Sequence, residues 1–300
     1  MSITRRWPSL ADQVAVANRL YGRDGERTVA DWVDRQLGLV GDMDFASQFA
    51  THIRLPGVSP IDYAHRRLHC SHGDLVGGIR FYNRNVARPF VDVLAHTFTD
   101  IRILTAHVRD EWSPFSVRYL RLRGHPGSLA GAGVILDQSV HVARYGQMSP
   151  ADGRVRLESL IDPDEAIAIV AARYRQLAQH HPRLAANLSE ADAGDIRDWH
   201  DSRQLHAIRA DGVTVGVLAV APGCIGWIVG DEINEEVIAL SHNGHGYAAS
   251  AQAAWSARLA ARHPDGLLIG TIDRLNHASR ATALRAGRPA VLDDVFVRLD

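Results

Sequence analysis

Cysteine is nearly absent. Cys70 and Cys224 are the only two in 300 residues, far apart and in unlike surroundings. That count gives no disulfide framework of the kind small secreted domains use, and no CxxC pair points to a zinc ribbon. Net charge is equally scarce, since 33 Lys and Arg against 34 Asp and Glu leave −1. No strong field for nucleic acid or an anionic membrane follows, so neither is an expected partner. No apolar run reaches membrane-spanning length. The opening MSITRRWPSLADQ lacks the apolar core of a secretory signal, and a cytoplasmic location is expected. Also missing are the Gly-x-Ser-x-Gly elbow of serine hydrolases and the Gly-Lys-Ser/Thr of a P-loop.

What is present is a globular composition, 46% apolar and 22% charged, long enough for one large domain or two ordinary ones. Pro and Gly cluster in YGQMSPADGRVRLE (145–158), which divides residues 1–150 from 151–300. In the second half VRLESLI (155–161) has strand character. Asp162-Pro163-Asp164-Glu165 then offers an N-cap, a proline at N1 and first-turn acids to a helix ending by Pro182. LHAIRADGVTVGVLAV (205–220) predicts a hairpin about Asp211-Gly212. CIGWIV (224–229) and INEEVIAL (233–240) read as strands and 247–262 as a helix. LLIGTI (267–272) reads as a strand, 276–286 as a helix ended by Gly287, and 291–299 as a strand. The order predicts an α/β (α+β) domain with a mixed sheet. In the first half, 26–40, 59–70 and 88–98 suggest helices, 74–82 and 116–124 strands. This is a second α/β lobe whose topology and role the residues do not define.

The stretch SHNGHGYAASAQ (241–252) lies between an acidic strand and a helix. At such a junction the first N–H groups of the helix lack intrahelical partners and point outward, reinforced by the helix dipole. Gly244 and Gly246 permit unusual backbone angles and close approach of a phosphate. The loose dinucleotide form is met, with Ala249 in the place of the third glycine. The acid it wants is misplaced: Asp265 precedes LLIGTI instead of ending it. Spacing alone leaves a phosphate cradle and a structural turn both open.

Asn-Gly-His-Gly-Tyr-Ala (243–248) resembles the acyl-CoA pyrophosphate loop of the GNAT superfamily of N-acetyltransferases, with Gly246 and Ala248 on the motif and Asn243 where Arg or Gln is usual. GTIDRLNHASRATALRAGR (270–288) is similar to that family's last strand and helix, through Asn276, Ser279 and Gly287. The resemblance covers about residues 155–300. It implies a GNAT-like mixed sheet flanked by helices in the C-terminal half, preceded by a lobe for which a degenerate GNAT-like repeat is one expectation. It also implies acetyl-CoA (or another acyl-CoA) as co-substrate and direct attack by a primary amine of a small-molecule or peptide acceptor. An interface with a second copy, as a homodimer, is left open.

The implied site follows residue by residue. Val237, Ile238 and Ala239 would bind pantetheine through their backbone. Asn243, Gly244, His245, Gly246, Tyr247 and Ala248 would hold the pyrophosphate, and Asn276 with Ser279 would contact CoA. The base is expected to be Glu235 or Glu236, with Glu232 behind them. Strict strand alternation puts Glu236 with Glu232 on one face and Glu235 with Asp231 on the other. The alternative for these acids is a solvated edge, and for Asn276 an N-cap. The tyrosine that many family members carry seven or eight residues after the Asn is missing, since Ala283 and Leu284 stand there. Either Tyr247 or His245 serves as the acid in its place, or the thiolate leaves unassisted. A non-catalytic acyl-CoA-binding or sensing module is therefore the second reading. Among His65, His69, Cys70 and His72, a helix would put His65 and His69 on one face. A helix with satisfied histidines is the preferred interpretation there, and no metal is expected.

Overall fold

The computed structural model describes residues 2–299. They form two compact units: residues 2–138 with 292–299, and residues 139–291. The seam at 145–158 thus falls inside the second unit. Its Pro and Gly residues mark local turns, whereas the boundary lies within an unbroken strand.

In the first unit, helices α1 (Ile3–Arg6), α2 (Ala11–Tyr21), α3 (Gly25–Gly38) and α4 (Met43–Ala50) precede strands β1 (Arg66–Cys70), β2 (Gly73–Phe81) and β3 (Pro89–His96). Helix α5 (Ile101–Glu111) and strand β4 (Tyr119–Gly124) follow. β1, β2 and β3 form an antiparallel meander. β4 returns parallel to β3 through two pairs, Val91 with Leu120 and Asp92 with Arg121. Two expected helices are strands. Residues 59–70 give a short 3-10 turn at Pro60–Tyr63 and then β1, where an i,i+4 histidine spacing is equally an alternating one. Residues 88–98 give β3, whose Phe90, Val91, Val93 and Ala95 are buried. A short apolar run carries no period that separates a buried strand from a helix, and pairing on both edges decides it. The unit's core joins Leu75, Ile79, Val91, Leu104, Trp112 and Leu120.

The second unit takes the end of β5 (Val134–Arg144), then β6 (Arg156–Ser159), α6 (Asp164–His180), α7 (Pro182–Ala185), α8 (Ala193–Asp201), β7 (Leu205–Ala210), β8 (Val213–Ile225) and β9 (Ile228–Ile238). After these come α9 (Tyr247–Ala260), β10 (Leu267–Asp273) and α10 (His277–Arg285). A last strand, β11 (Ala290–Arg298), pairs antiparallel with β4 in the first unit through Asp293–Arg298. The second unit's strand order is β5-β10-β9-β8-β7-β6. Asp162 accepts from the Asp164 N–H at 2.9 Å, which is the cap that starts α6. Asp211 and Gly212 both have positive φ (48° and 81°), the type I′ geometry that sets the β7–β8 hairpin. CIGWIV is not a strand of its own: Gly226 and Trp227 are the turn between β8 and β9, with Gly226 at φ 66°.

Both units therefore repeat one order: a three-strand antiparallel meander, a helix, and a fourth strand parallel to the third. On the second unit's sheet, Val217, Ala219 and Val237 pack against α6 and α8, and Leu218, Val220 and Ile238 lie on the α9 side. No helix among the described residues is long and apolar enough to cross a membrane.

Candidate active site

The site begins where two parallel strands part. β10 registers on β9 through Leu268 with Asp231 and Ile269 with Glu232, and no further pair follows among the described residues. The next stretch of β9, through Ile238, stays paired on its other edge with β8. The Ala239 N–H bonds Val215 O at 2.9 Å, on the β8 side. By strand alternation the Ile238 N–H then faces the opposite edge, toward the gap. An opening at the carboxyl ends of parallel strands is where sheets of this class take ligands.

The acids of β9 are not a solvated edge. Ala219 pairs with Glu235 and Val220 with Ile233, so Asn234 is an extra residue, a β-bulge. The bulge corrects the expected faces. Glu235 and Glu232 share the side of α6 and α8, whereas Glu236 and Asp231 share the side of α9. A bulge leaves no mark in hydrophobic periodicity, which is why alternation alone mispairs these residues.

Glu235 is buried at 8% exposure. Burial pushes its carboxyl up to about 7, against hydrogen bonds from the Ala191 N–H, the Tyr174 hydroxyl and the Glu236 N–H. Tyr174, on α6, donates to Oε2 at 3.3 Å, and the Glu236 N–H donates to Oε1 at 3.2 Å. Burial together with the Glu235 charge raises the Tyr174 hydroxyl, so it stays protonated as a donor. Glu232 is half-buried, and desolvation raises it as well.

Glu236 sits in a different environment. Its Oε2 accepts from Gln252 Nε2 at 2.8 Å, and its buried Oε1 has no hydrogen-bond partner. Burial pushes this carboxyl up to about 7, opposed by the Gln252 bond and the Arg288 charge. Arg288 is itself buried. It donates to Gln252 Oε1 at 3.3 Å and to His141 O at 3.4 Å, and desolvation lowers it to about 10. Gln252 thus bridges a buried cation and a buried acid under the sheet. At the start of β9, Asp231 accepts from the Tyr145 hydroxyl at 2.5 Å.

The glycine loop lies at the N-terminus of α9. Gly244 and Gly246 have φ of 84° and 77°, a left-handed region in which other L-residues are strained. Gly246 occupies the cap position with no side chain to satisfy the first N–H groups of α9. A cavity of about 410 Å³ opens onto this end. Gly244, His245, Gly246, Ser250, Arg154 and Arg285 are among the residues that line it. Arg154 Nη2 donates to His245 O at 2.5 Å, and its guanidinium lies 5.4 Å from the Tyr247 ring. His245 and Tyr247 stack at 5.5 Å. Asp152 shares the cavity and accepts from Ser250 Oγ at 2.7 Å. The two arginines stand where Asn243 offers no charge. Sequence reasoning missed both, although Arg154 lies in the interrupted GRVR stretch. Its approach to the loop spans 91 residues.

Other expected residues fall elsewhere. Asn276 Oδ1 accepts from the Ser279 N–H at 3.1 Å, which makes it the cap of α10. Ala283 is buried and Leu284 exposed, so no hydroxyl stands at either place. Asn243 is exposed and does not line the cavity. In the other unit His65 and His69 do not share a helix face. His65 is buried against Gln36 at 3.1 Å, and His69 bonds Asp74. In the first unit the place equivalent to the glycine loop carries a carboxylate instead. Asp100 caps α5, accepting from the Arg102 N–H at 2.8 Å, and no glycine lies between β3 and α5.

This mixed α+β architecture is a GNAT-like fold. An acetyltransferase of the GNAT family from Colwellia psychrerythraea superposes with a TM-score of 0.50 over 91% of this chain and 97% of its own, at 10% identity. A GCN5-related N-acetyltransferase from Sphaerobacter thermophilus aligns at a TM-score of 0.48 and 12% identity, over 88% and 93% of the two chains. A tandem GNAT protein of the clavulanic acid pathway gives 0.43 and 12%, over 92% and 96%. Identities this low speak for the fold alone. No protein-family model matches the chain, and no curated protein matches it significantly.

Proposed function

We propose that the second unit binds an acyl-CoA and passes its acyl group, acetyl in the simplest case, to a primary amine. The observation that carries this is the gap between β9 and β10, which leads onto a side-chain-free helix N-terminus flanked by Arg154 and Arg285. The first N–H groups of α9 and the two guanidiniums suit a pyrophosphate, and the backbone edge at Ile238 suits an amide-bearing arm beside it.

The acyl-CoA supplies an activated thioester, and the protein orients it and handles protons. Glu235 is the base. Poised near 7, it takes a proton from the acceptor's ammonium, leaving a neutral amine that attacks the thioester carbon; the C–N bond forms, the C–S bond breaks, and the surplus nitrogen proton passes to the departing CoA thiolate. The Ile238 N–H is the donor toward the developing oxyanion. Glu236 has a different part: its negative charge offsets buried Arg288 beneath the strand. The acceptor enters on the α6 and α8 side, the face that Glu235 and Glu232 share.

A second reading, a sensing module that holds acyl-CoA without turnover, is favoured by the absence of a hydroxyl at Ala283 and Leu284. Calorimetry with acetyl-CoA tests both at the level of binding, and no heat of binding at millimolar ligand sinks both. Release of free CoA thiol across a panel of amines then separates them, because the sensor gives none.

A further inference from the structure

The hairpin of the first unit gathers three soft ligands. Cys70 ends β1 and pairs with Gly73, so Ser71 and His72 form a two-residue turn. His107 reaches this turn from α5. Cys70 Sγ lies 3.5 Å from His107 Nε2, and the His72 and His107 ring centroids are 5.9 Å apart. One ligand atom from each residue lies within 4.8 Å of the other two.

The backbone that carries them is fixed. The Thr97 N–H donates to Asp74 O at 2.9 Å, and the Asp74 N–H donates to Thr97 Oγ1 at 2.8 Å. A Cβ at Gly73 would come within 2.8 Å of Thr97 Oγ1 and 3.2 Å of Phe98 N, so the turn lies directly on the chain entering α5. Phe98 packs on the His107 ring at 5.6 Å. Ligands held this way need little rearrangement to close on an ion.

The Cys70–His107 separation already fits. With Zn–S of about 2.3 Å and Zn–N of about 2.0–2.1 Å, sulfur and nitrogen on a tetrahedral zinc are about 3.6 Å apart. A bare thiol hydrogen bond would account for the Cys70–His107 contact, since a thiol is a weak donor, but it has no use for His72. The neighbouring histidines are occupied elsewhere: His69 with Asp74, His65 with Gln36.

We propose that Cys70, His72 and His107 bind a divalent metal of the zinc class. Thiolate and imidazole favour such an ion over calcium or magnesium. Three protein ligands leave the fourth position to water or an incoming ligand. Binding replaces the Cys70 thiol proton, which goes to solvent, so affinity falls as pH drops.

The test is a cobalt(II) titration of tag-free, metal-stripped protein. The expected result is one equivalent bound, with a thiolate-to-cobalt charge-transfer band and the visible bands of a four-coordinate ion, both bleached by added zinc. Cys70→Ser should remove the charge-transfer band and Cys224→Ser should keep it. Exposed His72→Ala, a variant that should fold normally, should weaken cobalt binding by tenfold or more, as ligand loss does. No charge-transfer band at excess cobalt overturns the proposal. So does a band that survives Cys70→Ser, or wild-type affinity in His72→Ala.

Discussion

The Tyr174 hydroxyl donates to Glu235 Oε2 at 3.3 Å, tying the first helix of the second unit to the acid beside the strand gap. The bond holds the carboxylate in place without removing its basicity, because burial already sets Glu235 near 7. Glu235→Gln keeps the acceptor oxygen for Tyr174 and removes the proton site. It should lower kcat on a competent amine by roughly 10²- to 10⁴-fold while acetyl-CoA affinity stays within about twofold. The wild-type rate should climb as pH rises through about 7 and then level. A Glu235→Gln variant at full rate with the same pH profile would remove Glu235 from the chemistry.

The same acid has a cost in stability that can be read independently of any substrate. Its folded value, about 7, lies above the 4.5 of an ordinary glutamate. The folded state therefore holds the proton more tightly, and stability falls as pH rises from 4.5 to 7. Glu235→Gln does not titrate, so it should lose less stability over that range, by up to about 3 kcal/mol. Urea unfolding of both proteins at pH 5 and pH 8 checks this. Parallel losses in the two would mean Glu235 ionises freely.

Gly246 tests the cradle. A Cβ there would meet nothing closer than Arg154 Nη1 at 3.6 Å, so Gly246→Ala acts through its φ of 77° and not through a clash. It should cost about 1–2 kcal/mol of stability. Gly212→Ala, at φ 81° in the β7–β8 hairpin, should cost a similar amount. The two should differ at the ligand: only Gly246→Ala should weaken acetyl-CoA binding in calorimetry. Equal affinities in the two variants would place the pyrophosphate elsewhere.

Arg154 and Arg285 are exposed on the cavity wall. Each changed to Ala should lower acetyl-CoA affinity by about tenfold, the scale of one charged hydrogen bond. The double variant should also flatten the dependence of affinity on salt, since screening acts on those charges. Binding that keeps its salt slope without both arginines would assign the attraction to other groups.

How much of this was open to a reader of the chain depends on the range of the signal. The α6 cap at Asp162, the Asp211-Gly212 turn and the glycines before α9 are local devices. Each shows in a handful of residues. The loop between the acidic strand and the helix was legible for the same reason. What escaped was non-local or subtle. The arginines meet their loop across long stretches of chain, as does Tyr174 with Glu235. In β3, pairing with β2 and β4 overrides a run that suits a helix equally well. The single extra residue at Asn234 reverses the faces of every acid on one side of it.

That bulge makes strand length a chemical variable. Removing Asn234 would let β8 and β9 pair without interruption, and Glu232 would stay with Glu235 and Asp231 with Glu236, because dropping the extra residue leaves every cross-strand partner as it is. Adding one residue to β8 between Ala219 and Val220 would instead draw Asn234 into the ladder. Glu232 and Asp231 would then trade sides relative to Glu235 and Glu236. A carboxylate now beside Tyr145 would turn toward α6, and another would be driven under α9. The insertion would therefore belong with active-site substitutions and the deletion would not, although neither touches an acid directly.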